Sequence, residues 1–244
     1  MLHVNLSRYI DTSMMMTARA FCLLLGFLPL CSLAADYDQI LQQALAEFDD
    51  DYRETWAFTE ERVFDGVTTV ARFDPRGAEK WQLLSVAGKA PTSEEIDRFS
   101  EEKSKEGGRG KGRRGDGSPE TMVTPGSLSL IEETEDYWLF DFIPGGKGDN
   151  ADFMAQLSGE MKISKENTAI EFIDIRSDGA FKPRFGFKVS EFITRMEFVR
   201  ASLQGPAVPR AMQFRIKARA LGMMKVDEKV SLQYRDYQFV GGAD

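Results

Sequence analysis

Between residues 211 and 221 apolar and polar side chains alternate without an error. Met212, Phe214, Ile216, Ala218 and Ala220 hold one phase, and Gln213, Arg215, Lys217 and Arg219 hold the other. Successive strand residues point to opposite faces, so this segment is a strand with one apolar and one charged side. Its neighbours carry the same alternation with a fault in each. Phe185, Phe187 and Val189 share one phase, whereas Phe192, Thr194, Met196 and Phe198 share the opposite one. The last segment changes in the same way, from Val230, Leu232 and Tyr234 to Tyr237 and Phe239. A phase change inside a strand is a β-bulge, which bends it; the first is expected near Ser190 and Glu191. Long bent strands with one apolar face predict an α+β fold. Its core is a strongly curved antiparallel sheet with a few short helices on the concave side.

The remaining segments fit that frame. Tyr37, Ile40, Leu41, Ala44, Leu45 and Phe48 recur at helical spacing and form one apolar stripe. The run Asp49-Asp50-Asp51 after it lacks the alternation, central Gly and distal Glu of a calcium loop, and reads as a solvated helix end. Residues 55–64, 67–73 and 80–86 form a meander, joined first by Asp65-Gly66, a strong hairpin signal. Thr92 and Glu95 form a capping box that opens a helix. Strands are expected over residues 127–133, 137–143, 159–164, 169–176, 185–200, 211–221 and 226–240, with a short helix over 151–157 capped by Asn150.

Residues 101–120 contain no apolar side chain before the strands resume, apart from Pro119, and predict a disordered insertion. The tract holds a literal G-x-G-x-x-G (Gly110, Gly112, Gly115) and a literal Arg-Gly-Asp (Arg114 to Asp116). A dinucleotide fingerprint needs a strand before it and a helix after it in a parallel unit, and this context supplies neither. The tract reads as a flexible surface loop.

The N-terminal 35 residues read as a secretory signal peptide. Arg19 precedes an apolar run over residues 20–35 that is too short to span a bilayer, and Ser32-Leu33-Ala34 presents small residues for cleavage. Met14, Met15 and Met16 are alternative starts to Met1. Cleavage would remove Cys22, Cys31 and His3, which are all the cysteines and the single histidine. Disulfides, Cys/His zinc sites, thiol nucleophiles and Ser-His-Asp triads are then excluded. A lipid anchor on Cys31 is the alternative, disfavoured by Leu30 where a small residue is wanted. The whole chain carries 31 cations and 39 acids, net −8; without Arg8, Arg19 and Asp11 it carries 29 and 38, net −9. Six cations and one acid between Lys103 and Arg114 leave the rest at −14, a balance that repels nucleic acid and anionic membrane. The expected organisation is one domain over residues 36–244, in the periplasm, with no transmembrane segment after cleavage.

No P-loop, nucleophile elbow, cofactor motif or metal-ligand cluster occurs in the sequence, so neither cofactor nor metal is expected. Enzymatic activity is not expected either; the enzyme reading left open is a carboxylate-dependent hydrolase. What the chain supplies in quantity is apolar and aromatic side chains on strand faces. Trp56, Phe58, Trp81, Phe140, Phe142, Met196, Phe198, Met212, Phe214 and Ile216 either fill a core or line an apolar cavity.

The order of these pieces resembles the LolA/LolB-like superfamily of periplasmic lipoprotein and lipid carriers. The resemblance lies in the leader, the amphipathic helix, a meander opening with "TWAFTEERVFDG", then "LSGEMKISKEN" leading into strands that end in "VSLQYRDYQF". It implies an incomplete barrel that holds acyl chains under a helical lid. The expected partner is then the acyl chain of a lipid or lipoprotein, or an envelope protein. A filled-core interaction module of the envelope is the alternative on the same fold.

Overall fold

The computed structural model describes residues 37–48, 51–110, 119–146, 151–221 and 224–241. The leader, both cysteines, the histidine and the proposed Asn150 cap lie outside them. Five helices are present among the described residues: α1 (Tyr37–Ala46), α2 (Tyr52–Thr55), α3 (Ser93–Gly110), α4 (Pro119–Met122) and α5 (Ala151–Met154). The strands are β1 (Trp56–Phe64), β2 (Val67–Phe73), β3 (Trp81–Val86), β4 (Ser129–Glu133), β5 (Tyr137–Phe142), β6 (Ser158–Ser164), β7 (Ile170–Arg176), β8 (Phe181–Arg184), β9 (Phe187–Arg200), β10 (Ala207–Ala220) and β11 (Met224–Phe239).

All eleven belong to one antiparallel sheet in the order β3-β2-β1-β11-β10-β9-β7-β6-β5-β4, with β8 on the side of β9. The chain's first and last strands pair in the middle, and the end strands β3 and β4 do not meet, so the sheet stays open. Local chemistry fixes the hairpins. Asp65 and Gly66 both take positive φ (48° and 76°), the backbone of a two-residue turn that matches strand twist. The expected phase changes are bulges. Between β9 and β10 the register slips at Ser190, where Lys217 faces Glu191 and Ala218 faces Val189. In β11 the slip falls at Asp236, which takes φ +57°, so Tyr234 and Tyr237 come to the same side. The sequence places no strand over residues 181–184 and begins the next at Phe185; the structure forms β8 there, separated from β9 by a turn at Phe185-Gly186, with Gly186 at φ +77°.

Register then builds one continuous apolar face. Leu232, Met212, Met196, Ile173, Met161 and Phe140 lie directly opposite one another on six neighbouring strands. A second row runs Val230, Phe214, Thr194, Ile175, Gly159 and Phe142. The glycine is needed because the Phe142 ring lies over it; an added Cβ would come within 2.4 Å of that ring. Helix α1 covers one end of this inner face. Its Leu41 and Ala44 enter a buried cluster with Phe140, Phe142, Met161, Ile163, Ile173 and Ile175, Tyr37 meets Phe140 edge-on at 5.3 Å, and beyond the helix Phe48 meets Phe198 at 4.7 Å.

The opposite face is charged and paired across strands. Arg195 lies opposite Asp174, at 3.7 Å, and Lys217 and Arg215 reach Glu191 at 2.7 and 3.1 Å. Lys217 and then Arg215 hold the Glu191 carboxyl below the usual carboxylate range. A lowered folded-state pKa stabilises above the unfolded value, about 4.3, and that contribution is lost as pH falls through the folded one. Glu191→Gln is therefore expected to lower the melting temperature slightly at neutral pH, where the pairing contributes, and to converge with wild type at acid pH, so that the acid limb of the profile below about pH 5 is flatter. An unchanged acid limb would show that the pairing contributes nothing.

The structure departs from the expected disorder over residues 101–110. Helix α3 begins at the Thr92/Glu95 capping box, where Thr92 N donates to Glu95 Oε2 (2.8 Å) and Glu95 N donates to Thr92 Oγ1 (3.3 Å), and it runs on to Gly110. What holds it is a cation. Lys103 Nζ lies 2.9 Å from Glu60 Oε1, with side chains only 10% and 5% exposed, and 4.2 Å from the centre of the Trp81 ring. A tract without apolar residues thus docks through a buried ion pair. Residues 111–118, with most of the glycine motif and the Arg-Gly-Asp, lie outside the described residues.

Candidate functional site

The ten residues singled out from sequence separate into three groups. Phe140 and Phe142 are buried beneath α1. Phe58 is also buried, in a second aromatic group with the half-buried Trp81 at the β1–β3 end, and Trp56 is buried with its ring against Phe239. Phe58 has no exposure and touches the rings of Tyr52, Phe73, Trp81, Tyr234 and Tyr237. Burial pushes the Tyr237 phenol up, and its hydroxyl donates to the Pro209 carbonyl at 2.5 Å. The third group, Met196, Phe198, Met212, Phe214 and Ile216, is half-buried on β9 and β10.

The third group lies on the strip of inner face between the parts buried under α1 and under α3. Val230 and Leu232 of β11 extend the strip from one side, and both are half-buried. Phe192 of β9 packs edge-on against Phe214 at 5.8 Å and against Phe153 of α5 at 5.2 Å. The sequence signal for Val230 and Leu232 was present in the phase of the last strand. Their place beside Phe214 and Met212 required the register.

Where α3 crosses β1–β3 the inner face opens into a cleft of about 480 Å³. Its floor is mostly apolar, with Phe64, Val67, Ala71, Leu83 and Val86, and is edged by Glu60, Asp65 and Thr69. Its roof is the charged side of α3, with Glu95, Arg98, Glu102 and Lys105 around Phe99. Arg62 enters from β1 with its guanidinium 5.3 Å from the Phe64 ring. Because Phe64 pairs with Val230 and Arg62 with Leu232, the cleft floor continues into the strip without a break. An apolar floor under a charged roof suits an amphiphile, with its chain on the strands and its polar group near the helix. Among the described residues no group of three His, Cys, Asp or Glu side chains could hold a metal ion, and no helix is long and apolar enough to cross a membrane.

The fold class is therefore an open eleven-stranded antiparallel sheet with a few helices against its apolar face. No family model and no curated protein matches the chain. Among solved structures it is similar to a LolA superfamily protein from Nitrosomonas europaea, at 9% identity over 83% of this chain and 92% of that one, TM-score 0.33. It is also similar to a chain of the MucA/MucB complex from Pseudomonas aeruginosa, at 9% identity over 82% and 93%, TM-score 0.24. A chain of MucB in complex with periplasmic MucA is similar at 9% identity over 82% and 94%, TM-score 0.23.

Proposed function

We propose that this protein is an exported, non-enzymatic binding module of the periplasm that carries the acyl chain of a lipid or lipoprotein on the half-buried strip. The observation that carries this reading is that strip: Met196, Met212, Phe214, Ile216, Val230 and Leu232 form one apolar surface that is only half-buried among the described residues. Methionine and aromatic side chains adapt to apolar ligands of varied shape. The adjoining cleft of about 480 Å³ falls within the size range of small-molecule sites. Export rests on the leader pattern of the first 35 residues. On this reading Phe58, Phe140 and Phe142 are the solid walls, and the strip is the site.

Phe214→Ala separates a ligand surface from a packed core. A fully buried Phe loses about 3–5 kcal/mol on truncation to Ala. Half-buried Phe214 is expected to lose about 1–2 kcal/mol, scaled to its smaller buried area. The same variant is expected to weaken binding of a fluorescent fatty acid about tenfold, a loss of about 1.4 kcal/mol. Denaturant unfolding and probe titration on one preparation give both numbers. A large stability loss with unchanged probe binding would show that Phe214 is core, and the filled-core envelope module would replace the carrier.

A further inference from the structure

The apolar face accounts for most large side chains, but not for those at the corner where β8, β9, β10 and β11 turn. Phe185 is fully exposed, Leu221 is 75% exposed and Met224 is 67% exposed. They come from two different hairpins held together by a backbone bond, with Leu221 N donating to the Gly186 carbonyl at 2.6 Å. Leu221 itself sits at φ +50°, an uncommon conformation for a residue with a bulky side chain. Three apolar side chains therefore project from adjoining turns into water, away from the strip and the cleft.

Cations surround them. The register sets Lys188 directly opposite Arg219, and Arg219 directly opposite Lys225, so three positive charges stand in a row across three strands. Like charges in directly opposed positions destabilise a sheet. Lys182 and Arg184 add two more on β8. None of the five forms an ion pair among the described residues. No acidic residue occurs in 179–190 or in 215–226, in a chain whose net charge is −8. The corner is thus opposite in sign to the chain as a whole.

We propose that this corner docks on an anionic phospholipid membrane. Phe185, Leu221 and Met224 enter among the upper parts of the acyl chains, and Lys182, Arg184, Lys188, Arg219 and Lys225 meet the phosphates. Exposed apolar tips ringed by long cationic side chains have the chemistry of an interfacial anchor. An anionic surface also relieves the repulsion along the Lys188–Arg219–Lys225 row. The acidic remainder of the chain is repelled by the same surface, so the molecule would land corner first. This proposal does not depend on the carrier reading, because the strip and the cleft contribute nothing to it.

The test is co-sedimentation with vesicles at low salt. The protein is used as purified from the cells that make it, wild type and variants processed alike. Vesicles of equal parts phosphatidylglycerol and phosphatidylcholine are compared with vesicles of phosphatidylcholine alone. Wild type is expected to bind the anionic vesicles about tenfold more tightly, and the difference should shrink at high salt. The double variant Phe185→Ser/Leu221→Ser is expected to lose about tenfold of that binding with its melting temperature nearly unchanged. Lys188→Glu/Arg219→Glu tests the charge row separately and should abolish the preference for anionic vesicles. Equal binding to both vesicle types, or variants that bind as wild type does, would overturn the proposal. So would no binding at all, the result expected if an acidic protein surface were the true partner.

Discussion

Phe58→Ala is expected to cost about 4–5 kcal/mol of unfolding free energy, the top of the range for a buried phenylalanine. Phe58 has no exposed surface, and five rings surround it with centroids 5.0–5.8 Å away. Those rings come from α2, β2, β3 and β11, so truncation opens a void that no single neighbour can close. Aromatic pairs add about 0.5–1.5 kcal/mol each beyond their buried area. Urea unfolding followed by tryptophan fluorescence measures the loss directly, since Trp81 is one of the rings in contact. A loss below about 2 kcal/mol would mean that the β1–β3 end repacks freely, unlike a close-packed core.

Lys103→Ala is the second large effect, about 3 kcal/mol, because it leaves the buried Glu60 carboxylate without its cation. That lies at the lower end of the cost of breaking a buried pair, since Glu60 borders the cleft, where water can reach it. In a domain of this size the melting temperature should fall by about 6–12 °C. Lys103→Met together with Glu60→Gln removes both charges and should recover most of the loss, as a neutral pair carries no unpaired charge. If the double variant is as unstable as Lys103→Ala, the helix is held by something other than the ion pair. If Lys103→Ala melts like wild type, the ion pair does not anchor α3, and the edge-on contact of Phe99 with Trp81 at 6.3 Å is what remains to hold it.

That anchor shows where sequence reading stops. Alternation in β10, the phase changes at Ser190 and near Asp236, the Asp65-Gly66 turn and the Thr92/Glu95 box are local signals, and each is realised in the structure. They carried the fold class. Residues 101–110 contain no apolar side chain, so periodicity had nothing to report there. The clue lay elsewhere: Glu60 stands in the inward phase of β1 between Phe58 and Phe64, and a buried carboxylate needs a cation. The sequence contained six cations between Lys103 and Arg114 but could not say which one arrives.

The candidate site was legible to the same depth. Met212, Phe214 and Ile216 were visible as one face of one strand. Their partners on β11 follow from the β10–β11 hairpin, but the continuation into the cleft floor depends on a pairing between the last strand and the first, Phe64 with Val230 and Arg62 with Leu232, far apart in the chain, which no local pattern specifies. The difference between solid and open parts of that face was not legible either. It depends on where α1 ends and where α3 crosses, so Phe140 and Met212, members of one cross-strand row, differ in burial. The β8–β9 corner is not legible in the sequence because Phe185 shares the phase of Phe187 and Val189, where an aromatic residue reads as core.

The carrier reading is tested most directly by native mass spectrometry of the protein as purified from the cells that make it, with lipid extraction of the same sample. An amphiphile bound on the strip predicts a discrete added mass, identified in the extract as a phospholipid, a fatty acid or a lipoprotein acyl group, and its loss from Phe214→Asp under conditions where that variant stays folded. A folded wild-type protein that carries no such mass, and that fails to take up a fluorescent fatty acid when it is supplied, would contradict it.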